Sequence, residues 1–176
     1  APETCPKCGA PRDQFAALSD EDAKSIIGLG LPEVMQTLFP DVPELHQEIL
    51  DSYAQHYVAS SQDDQWFDGV GNMLQDLKRQ GVQLAVATGK SRRGLDRVLA
   101  KTQSQDLFVM TRAASETKSK PDPLMLQQLL EELDVPSHQA LMVGDSVHDM
   151  AMAQAISMDR VGISWGVHST EQLQQH

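Results

Sequence analysis

ALMVGDSVHDMAMAQAI, residues 140–156, decides the fold. Ala140 to Val143 are apolar and too few for a helix, so they read as a short buried strand. Gly144 and Asp145 then turn the chain, and Val147 to Ile156 reads as a helix. A buried strand running straight into a helix is half of a βαβ unit. The rhythm recurs on both sides. Val82 to Ala87 reads as a strand before a helix over Leu95–Leu99. Leu107 to Met110 is a second strand. It precedes a helix over Pro121–Leu133, whose proline sits where a missing N–H does no harm. Arg160 to Ile163 is the fourth strand. Val70, Met73, Leu74 and Leu77 form a helix ending at Gly81. Strands and helices alternating every 20–30 residues or so predict an α/β fold with a parallel sheet.

Nothing before residue 82 reads as a strand. From Leu18 to about Ser61 the pattern is helical, and Ser19 with Asp22 resembles a capping box. Ile26, Ile27, Leu29, Leu31, Val34, Met35 and Leu38 supply apolar positions around Gly28-Leu29-Gly30. Leu45, Ile49, Tyr53 and Tyr57 recur at spacing four, which is one helix face. Residues 1–14 stand apart: they hold three of the nine prolines and both cysteines, and no aliphatic residue larger than Ala. They read as an irregular tail.

Of the 176 residues, 40% are apolar and 5% aromatic, so an aliphatic core is available. Lys and Arg number 14 against 25 Asp and Glu, a net charge of −11. That excludes non-specific nucleic-acid binding, which needs a basic surface. It does not bear on a small phosphorylated substrate, which responds to local charge. No apolar run approaches membrane-spanning length. No basic-then-apolar leader opens the chain, and two cysteines give no disulfide framework. A cytoplasmic protein away from membranes is the expectation.

Ligands of open α/β sheets bind beyond the carboxyl ends of the strands. The first strand ends in Thr88-Gly89-Lys90-Ser91. A hydroxyl, an approachable amide and a helix N-terminus suit a phosphate; a plain helix cap is the other reading. The third ends in Gly144-Asp145-Ser146-Val147-His148-Asp149. Two carboxylates four apart suit a hard cation such as Mg²⁺; an N-cap with a solvated neighbour is the alternative. Between them, Lys120 precedes Pro121 and is held extended. It can reach a phosphate or a carboxylate, or be an ordinary surface lysine.

Taken together and in this order, these segments resemble the haloacid dehalogenase-like phosphatases of the phosphoglycolate-phosphatase-like branch. The carriers are the cap-like IIGLGLPEVM, then LAVATGK, SKPDP and LMVGDSVHDMAMAQA, with VGISWG behind. The resemblance runs from about Leu18 to Ser169. It implies a Rossmann-like parallel sheet flanked by helices, with a helical cap. Residues 1–14 are then a tail, 15–66 a partial cap, and 67–176 the α/β core. It also implies a Mg²⁺-dependent phosphomonoester hydrolase acting on a small phosphorylated metabolite such as phosphoglycolate. Thr88 and Gly89 would bind the phosphoryl oxygens. Lys120 would neutralise phosphate and the attacking carboxylate. Asp145 would ligate Mg²⁺, and Asp149 would complete the acidic cluster as a metal or catalytic residue.

The family's D-x-D-G-T motif, whose first Asp is the nucleophile, does not occur in these 176 residues. In the resembling fold its strand lies between those ending at Thr88 and Asp145. The expectation is therefore a core without its first strand, self-association through open sheet edges, and no turnover. The rival from another class is a non-catalytic binding or zinc-linked module. Cys5 and Cys8 form a C-x-x-C, half a zinc ribbon's ligands. An incidental tail, zinc shared with another chain and a redox pair are its three readings. Trp66 and Phe67 are expected at the cap–core junction and Trp165 beside the site. Met142, Met150, Met152 and Met158 are expected in the core, and His148 merely exposed.

Overall fold

The computed structural model describes residue 19, residues 24–60 and residues 65–176, with no side chains described at 57–60. The tail at 1–14, with Cys5 and Cys8, and the Ser19–Asp22 box lie outside these residues. After a helical stretch at 24–26 come α1 (Leu31–Leu38) and α2 (His46–Ser60). There follow α3 (Val70–Arg79), β1 (Ala85–Thr88), α4 (Arg92–Lys101) and β2 (Met110–Ala113). Next come α5 (Leu124–Leu133), β3 (Leu141–Gly144), α6 (Val147–Gln154), β4 (Asp159–Gly162) and a final short α7 (Thr170–Leu173).

The alternation predicted from the sequence is present, and the chain has the Rossmann-like α/β fold. Three boundaries moved by three residues, the first being that of the strand expected from Val82, which begins at Ala85. The apolar run at Leu107–Phe108 is not the strand itself: Gln105–Leu107 is a 3₁₀ turn, and β2 starts at Met110. Phe108 is apolar because it packs against Leu95, Leu99 and Ala113. The helix expected from Pro121 begins at Leu124, with Asp122 Oδ1 accepting the Leu124 N–H. α3 stops at Arg79, and Gly81 supplies the φ of +84° that lets Val82 N–H return to the Leu77 carbonyl.

β1 pairs in parallel with β2, Ala85 opposite Met110 and Thr88 opposite Ala113. β3 pairs in parallel with β4, Leu141 opposite Asp159. Among the described residues β1 and β3 do not pair with each other, so the strands stand as two pairs. Both pairs lean on one helical layer. Met125, Leu126 and Leu129 of α5 and Met152 and Ala153 of α6 form a core with Met158, and Ala87, Met110 and Met142 pack against it. Side chains alternate across a strand, so Val86 and Ala113 point the other way, onto Leu95 and Leu99 of α4. The β3–β4 pair is not covered on both faces: Leu141 is 58% exposed, Val143 57% and Val161 46%. Met150, Met152 and Met158 are buried, as expected. Trp66 and Phe67 are not buried at a junction; Phe67 is 64% exposed and Trp66 lies against Gly71.

Candidate active site

Each strand end places its residues by ordinary backbone rules. After β1, Ser91 caps α4, its Oγ accepting the Gly94 N–H at 3.2 Å. Thr88 Oγ1 accepts the Lys90 N–H at 3.2 Å. A hydroxyl that accepts from the backbone keeps its own proton to donate outward. Gly89 is glycine for want of space, since a Cβ there would stand 2.5 Å from the Gly28 carbonyl oxygen.

The loop after β1 is stitched to the loop after β2. The Lys90 carbonyl accepts the Ala114 N–H at 3.0 Å, and the Arg92 N–H donates to Ser115 Oγ at 2.9 Å. Arg92 grips Glu116 with two parallel bonds, Nε to Oε1 at 2.9 Å and Nη2 to Oε2 at 2.6 Å. That grip holds the Glu116 carboxyl below its ordinary range and raises the Arg92 guanidinium further.

After β3, Ser146 and Asp149 cap α6 reciprocally. Ser146 Oγ accepts the Asp149 N–H, and Asp149 Oδ2 accepts the Ser146 N–H, both at 3.2 Å. Ser146 Oγ also donates to Asp149 Oδ2 at 2.7 Å. The other oxygen, Oδ1, accepts Lys120 Nζ at 2.5 Å, with side chains only 7% and 5% exposed. Both Asp149 oxygens are thus engaged, and Asp149 acts here as the holder of Lys120.

Asp145 is held differently. Its Oδ2 accepts the Val167 N–H at 3.2 Å, and its carbonyl accepts the His168 N–H at 3.1 Å. No donor meets Oδ1 among the described residues. Two glycines make room for the carboxylates. A Cβ on Gly166 would lie 2.1 Å from Asp145 Cβ, and one on Gly144 2.4 Å from Asp149 Cβ.

His168 is buried, with Nδ1 accepting the Val147 N–H at 3.4 Å. Burial pushes its pKa down; the adjacent His148 adds to this, while Asp145 and Asp149 oppose it. His148 is not merely exposed. Its ring meets His168 edge-on at 6.0 Å, and its Nε2 lies 2.9 Å from the Ser25 carbonyl oxygen. Trp165, expected to pack beside the site, is 61% exposed.

The structure therefore brings Lys120, Asp149 and Ser146 into direct contact, with Asp145 on the same turn. Gly89 joins them through residues 28–30, which touch the loops after β1, β2 and β3. Gly30 N–H donates to Ser119 Oγ at 2.6 Å. Ser119, Ser146, Gly144, Gly166 and His168 were not singled out from sequence. Only Ser146 had a signal there, the S-x-x-D of a capping box.

The residues suit Mg²⁺ in the way that ion is usually held. Among the described residues no three Asp, Glu, His or Cys side chains form a cage. Mg²⁺ uses one or two carboxylates with waters and substrate phosphate rather than such a cage, and Asp145 Oδ1 is a hard oxygen ready for it.

The family model of haloacid dehalogenase-like hydrolases matches residues 8–163. The protein named Probable phosphatase IndB of Dickeya dadantii is 35% identical over 108 residues, 61% of this chain and 47% of that one. A phosphoglycolate phosphatase of Psychrobacter arcticus is 33% identical over 111 residues, 62% of this chain and 48% of its own. The chain spans about half the length of the curated relatives it matches. Among solved structures, a haloacid dehalogenase-like hydrolase of Bacteroides fragilis superposes with a TM-score of 0.79 at 22% identity. The match covers 94% of this chain and 80% of that one. No helix among the described residues is long and apolar enough to cross a membrane.

Proposed function

This chain belongs to the haloacid dehalogenase-like hydrolase family, and we propose that it carries the phosphate- and metal-holding part of a Mg²⁺-dependent phosphomonoesterase site. The substrate class is a small phosphorylated metabolite of the phosphoglycolate kind. The observation that carries this reading is the Lys120–Asp149 pair, with side chains 7% and 5% exposed beyond the carboxyl end of the β-strands. Taking two charges out of water is costly, and replacing such a pair by apolar residues is often neutral or stabilising. A use for the ammonium, rather than packing, accounts for its presence.

The roles follow from the bonds. The Thr88 hydroxyl and the Gly89 amide face the phosphoryl oxygens. Lys120 neutralises one of them, and Asp149 fixes the direction of its ammonium through Oδ1 while Ser146 holds Oδ2. Asp145 holds Mg²⁺, which supplies further neutralisation of the phosphate when bound. The His168 ring and the Val167 amide keep the Asp145 turn in place. Attack on phosphorus requires a further carboxylate. Asp149 is committed to Lys120 and Ser146, and Asp145 to the cation. Among the described residues neither is left to attack phosphorus, and on this reading the chain binds phosphate without turning it over.

The uncovered Leu141, Val143 and Val161 support self-association through the β3–β4 pair. The cytoplasm is the compartment we assign.

A p-nitrophenyl phosphate assay with Mg²⁺, run beside tungstate calorimetry, tests the reading. Tungstate should bind and weaken with Lys120→Ala, while turnover stays at background until a D-x-D-G-T strand is supplied at the N-terminus. Unchanged tungstate affinity in Lys120→Ala would return Lys120 to a structural role. Robust turnover by the 176-residue chain, lost in Asp145→Asn, would show that another carboxylate is the nucleophile.

A further inference from the structure

The segment from Ser25 to Gly30 is a strap across the mouth of the site. Its contacts reach the loops after β1, β2 and β3. The Ser25 carbonyl oxygen lies 2.9 Å from His148 Nε2. Gly28 has φ +103°, and a Cβ on it would lie 3.2 Å from Ser146 Oγ. The carbonyl oxygens of Gly28 and Leu29 sit 2.5 and 2.7 Å from where a Gly89 Cβ would be. The buried Gly30 N–H donates to Ser119 Oγ at 2.6 Å. A Cβ at 30 would lie 3.2 Å from Ser119 Oγ and 3.3 Å from Ala114 Cβ, so the strap is closely seated there.

From this we infer that Ser119 is a positioning residue, joining the seat of the strap to the placement of Lys120. A serine hydroxyl has one proton and two lone pairs. Ser119 accepts from Gly30 and, at 3.3 Å, donates to the carbonyl of Lys120. It is 8% exposed, so water does not readily substitute for either partner. The links close into a circuit. Gly30 holds Ser119, Ser119 holds the Lys120 backbone, and the Lys120 ammonium holds Asp149. Asp149 holds Ser146, and Ser146 lies against Gly28 of the same strap. A displaced strap therefore releases Lys120 from two directions, and a well-seated strap presets it for an anion. This inference rests on the phosphate-binding reading of Lys120 and adds the element that sets it.

Removing the hydroxyl leaves a buried N–H with no partner, which costs more than a hydrogen bond is worth on average. The test compares Ser119→Ala, Ser119→Thr, Lys120→Ala and Ser104→Ala in the full chain. Ser104 is also buried, 1% exposed and bonded to Thr102 Oγ1 at 2.7 Å, but lies at the far end of α4. The readouts are amide exchange at Gly30 by NMR and tungstate affinity by calorimetry. Ser119→Ala should speed exchange at Gly30 about tenfold or more and weaken tungstate about threefold or more. Ser119→Thr should restore both, and Ser104→Ala should change neither. Unchanged values in Ser119→Ala, or an equal loss in Ser104→Ala or Ser119→Thr, would overturn the positioning role. If Lys120→Ala binds tungstate as the wild type does, the phosphate reading itself falls. If it weakens binding and Ser119→Ala does not, only the Ser119 inference falls.

Discussion

Breaking the Lys120–Asp149 pair from one side should be among the most damaging single changes in this chain. In Asp149→Ala the ammonium stays 7% exposed and loses its counter-charge at 2.5 Å. Leaving a buried charge unpaired costs about 3–5 kcal/mol. The same change removes the acceptor of the Ser146 N–H and hydroxyl, the reciprocal half of the α6 capping box, about 1 kcal/mol more. Against a total stability of about 5–15 kcal/mol, that is a large share. With a urea slope of about 2 kcal/mol per molar, the midpoint should fall by about 2–3 M. Lys120→Met alone leaves Asp149 unpaired on Oδ1 but still bonded to Ser146, so its loss should be smaller. In the double variant no charge is left stranded, and the cost should be close to that of the worse single change. The two changes should therefore couple by at least about 2 kcal/mol, within the range seen for residues in contact. Urea unfolding of the four proteins, with equal slopes, measures this. Additive losses within about 0.5 kcal/mol would show that the pair does not act as a unit, and the argument from its burial would fail.

Gly166→Ala should reproduce Asp145→Asn in calorimetry, abolishing weak Mg²⁺ binding, because the new Cβ would occupy the space of Asp145 Cβ 2.1 Å away; wild-type Mg²⁺ affinity in Gly166→Ala would detach that glycine from the site. His168 has its pKa held below the ordinary 6.5 by burial, so the unfolded chain takes up the proton first. Stability should be complete above about pH 6.5 and decline as pH falls below it, and His168→Gln should flatten that decline in urea midpoints between pH 5 and 7. Glu116 is held low by Arg92, so Glu116→Gln should cost about 1 kcal/mol or less at pH 7, given side chains about one-third exposed, and that loss should vanish in acid as wild-type Glu116 protonates. Val143→Lys should raise the concentration at which sedimentation velocity shows association, since Val143 is 57% exposed opposite Val161; unchanged association would place the contact elsewhere.

The order of elements was legible because burial writes itself into sequence. Ala87, Met110 and Met142 are apolar because they lean on α5 and α6, and Val86 because it leans on α4. Register is less visible. It depends on which backbone groups of β1 meet those of β2, and Thr111 and Arg112 lie inside the pairing although neither reads as strand core. Phe108 is packed without being paired, which is why the apolar run pointed three residues too early. At the site, Lys120, Asp145 and Asp149 stood out by chemistry and spacing. The sequence did not suggest that Asp149 spends both oxygens on Lys120 and Ser146. Nor could it show a hydrogen bond between Gly30 and Ser119, 89 residues apart. Such a contact exists only once the cap segment and the loop before α5 are folded against each other.

The two strand pairs and the buried ion pair are consequences of one arrangement. Among the described residues β1 and β3 hydrogen-bond on one edge each, yet both rest on the α5–α6 layer through Ala87 and Met142. Unpaired backbone edges attract other strands, and the apolar face at Leu141, Val143 and Val161 adds to that tendency. Among the described residues, what keeps the loops at the strand ends in register is therefore not a continuous sheet. It is a set of cross-links between loops: Arg92 to Glu116, Lys120 to Asp149, Asp145 to Val167, and Gly30 to Ser119. Side-chain links of this kind do not depend on strand pairing. A strand inserted between β1 and β3 would satisfy both edges without disturbing any of these links. It would deliver a residue at its own carboxyl end between Thr88 and Asp145, where the proposed chemistry needs its carboxylate.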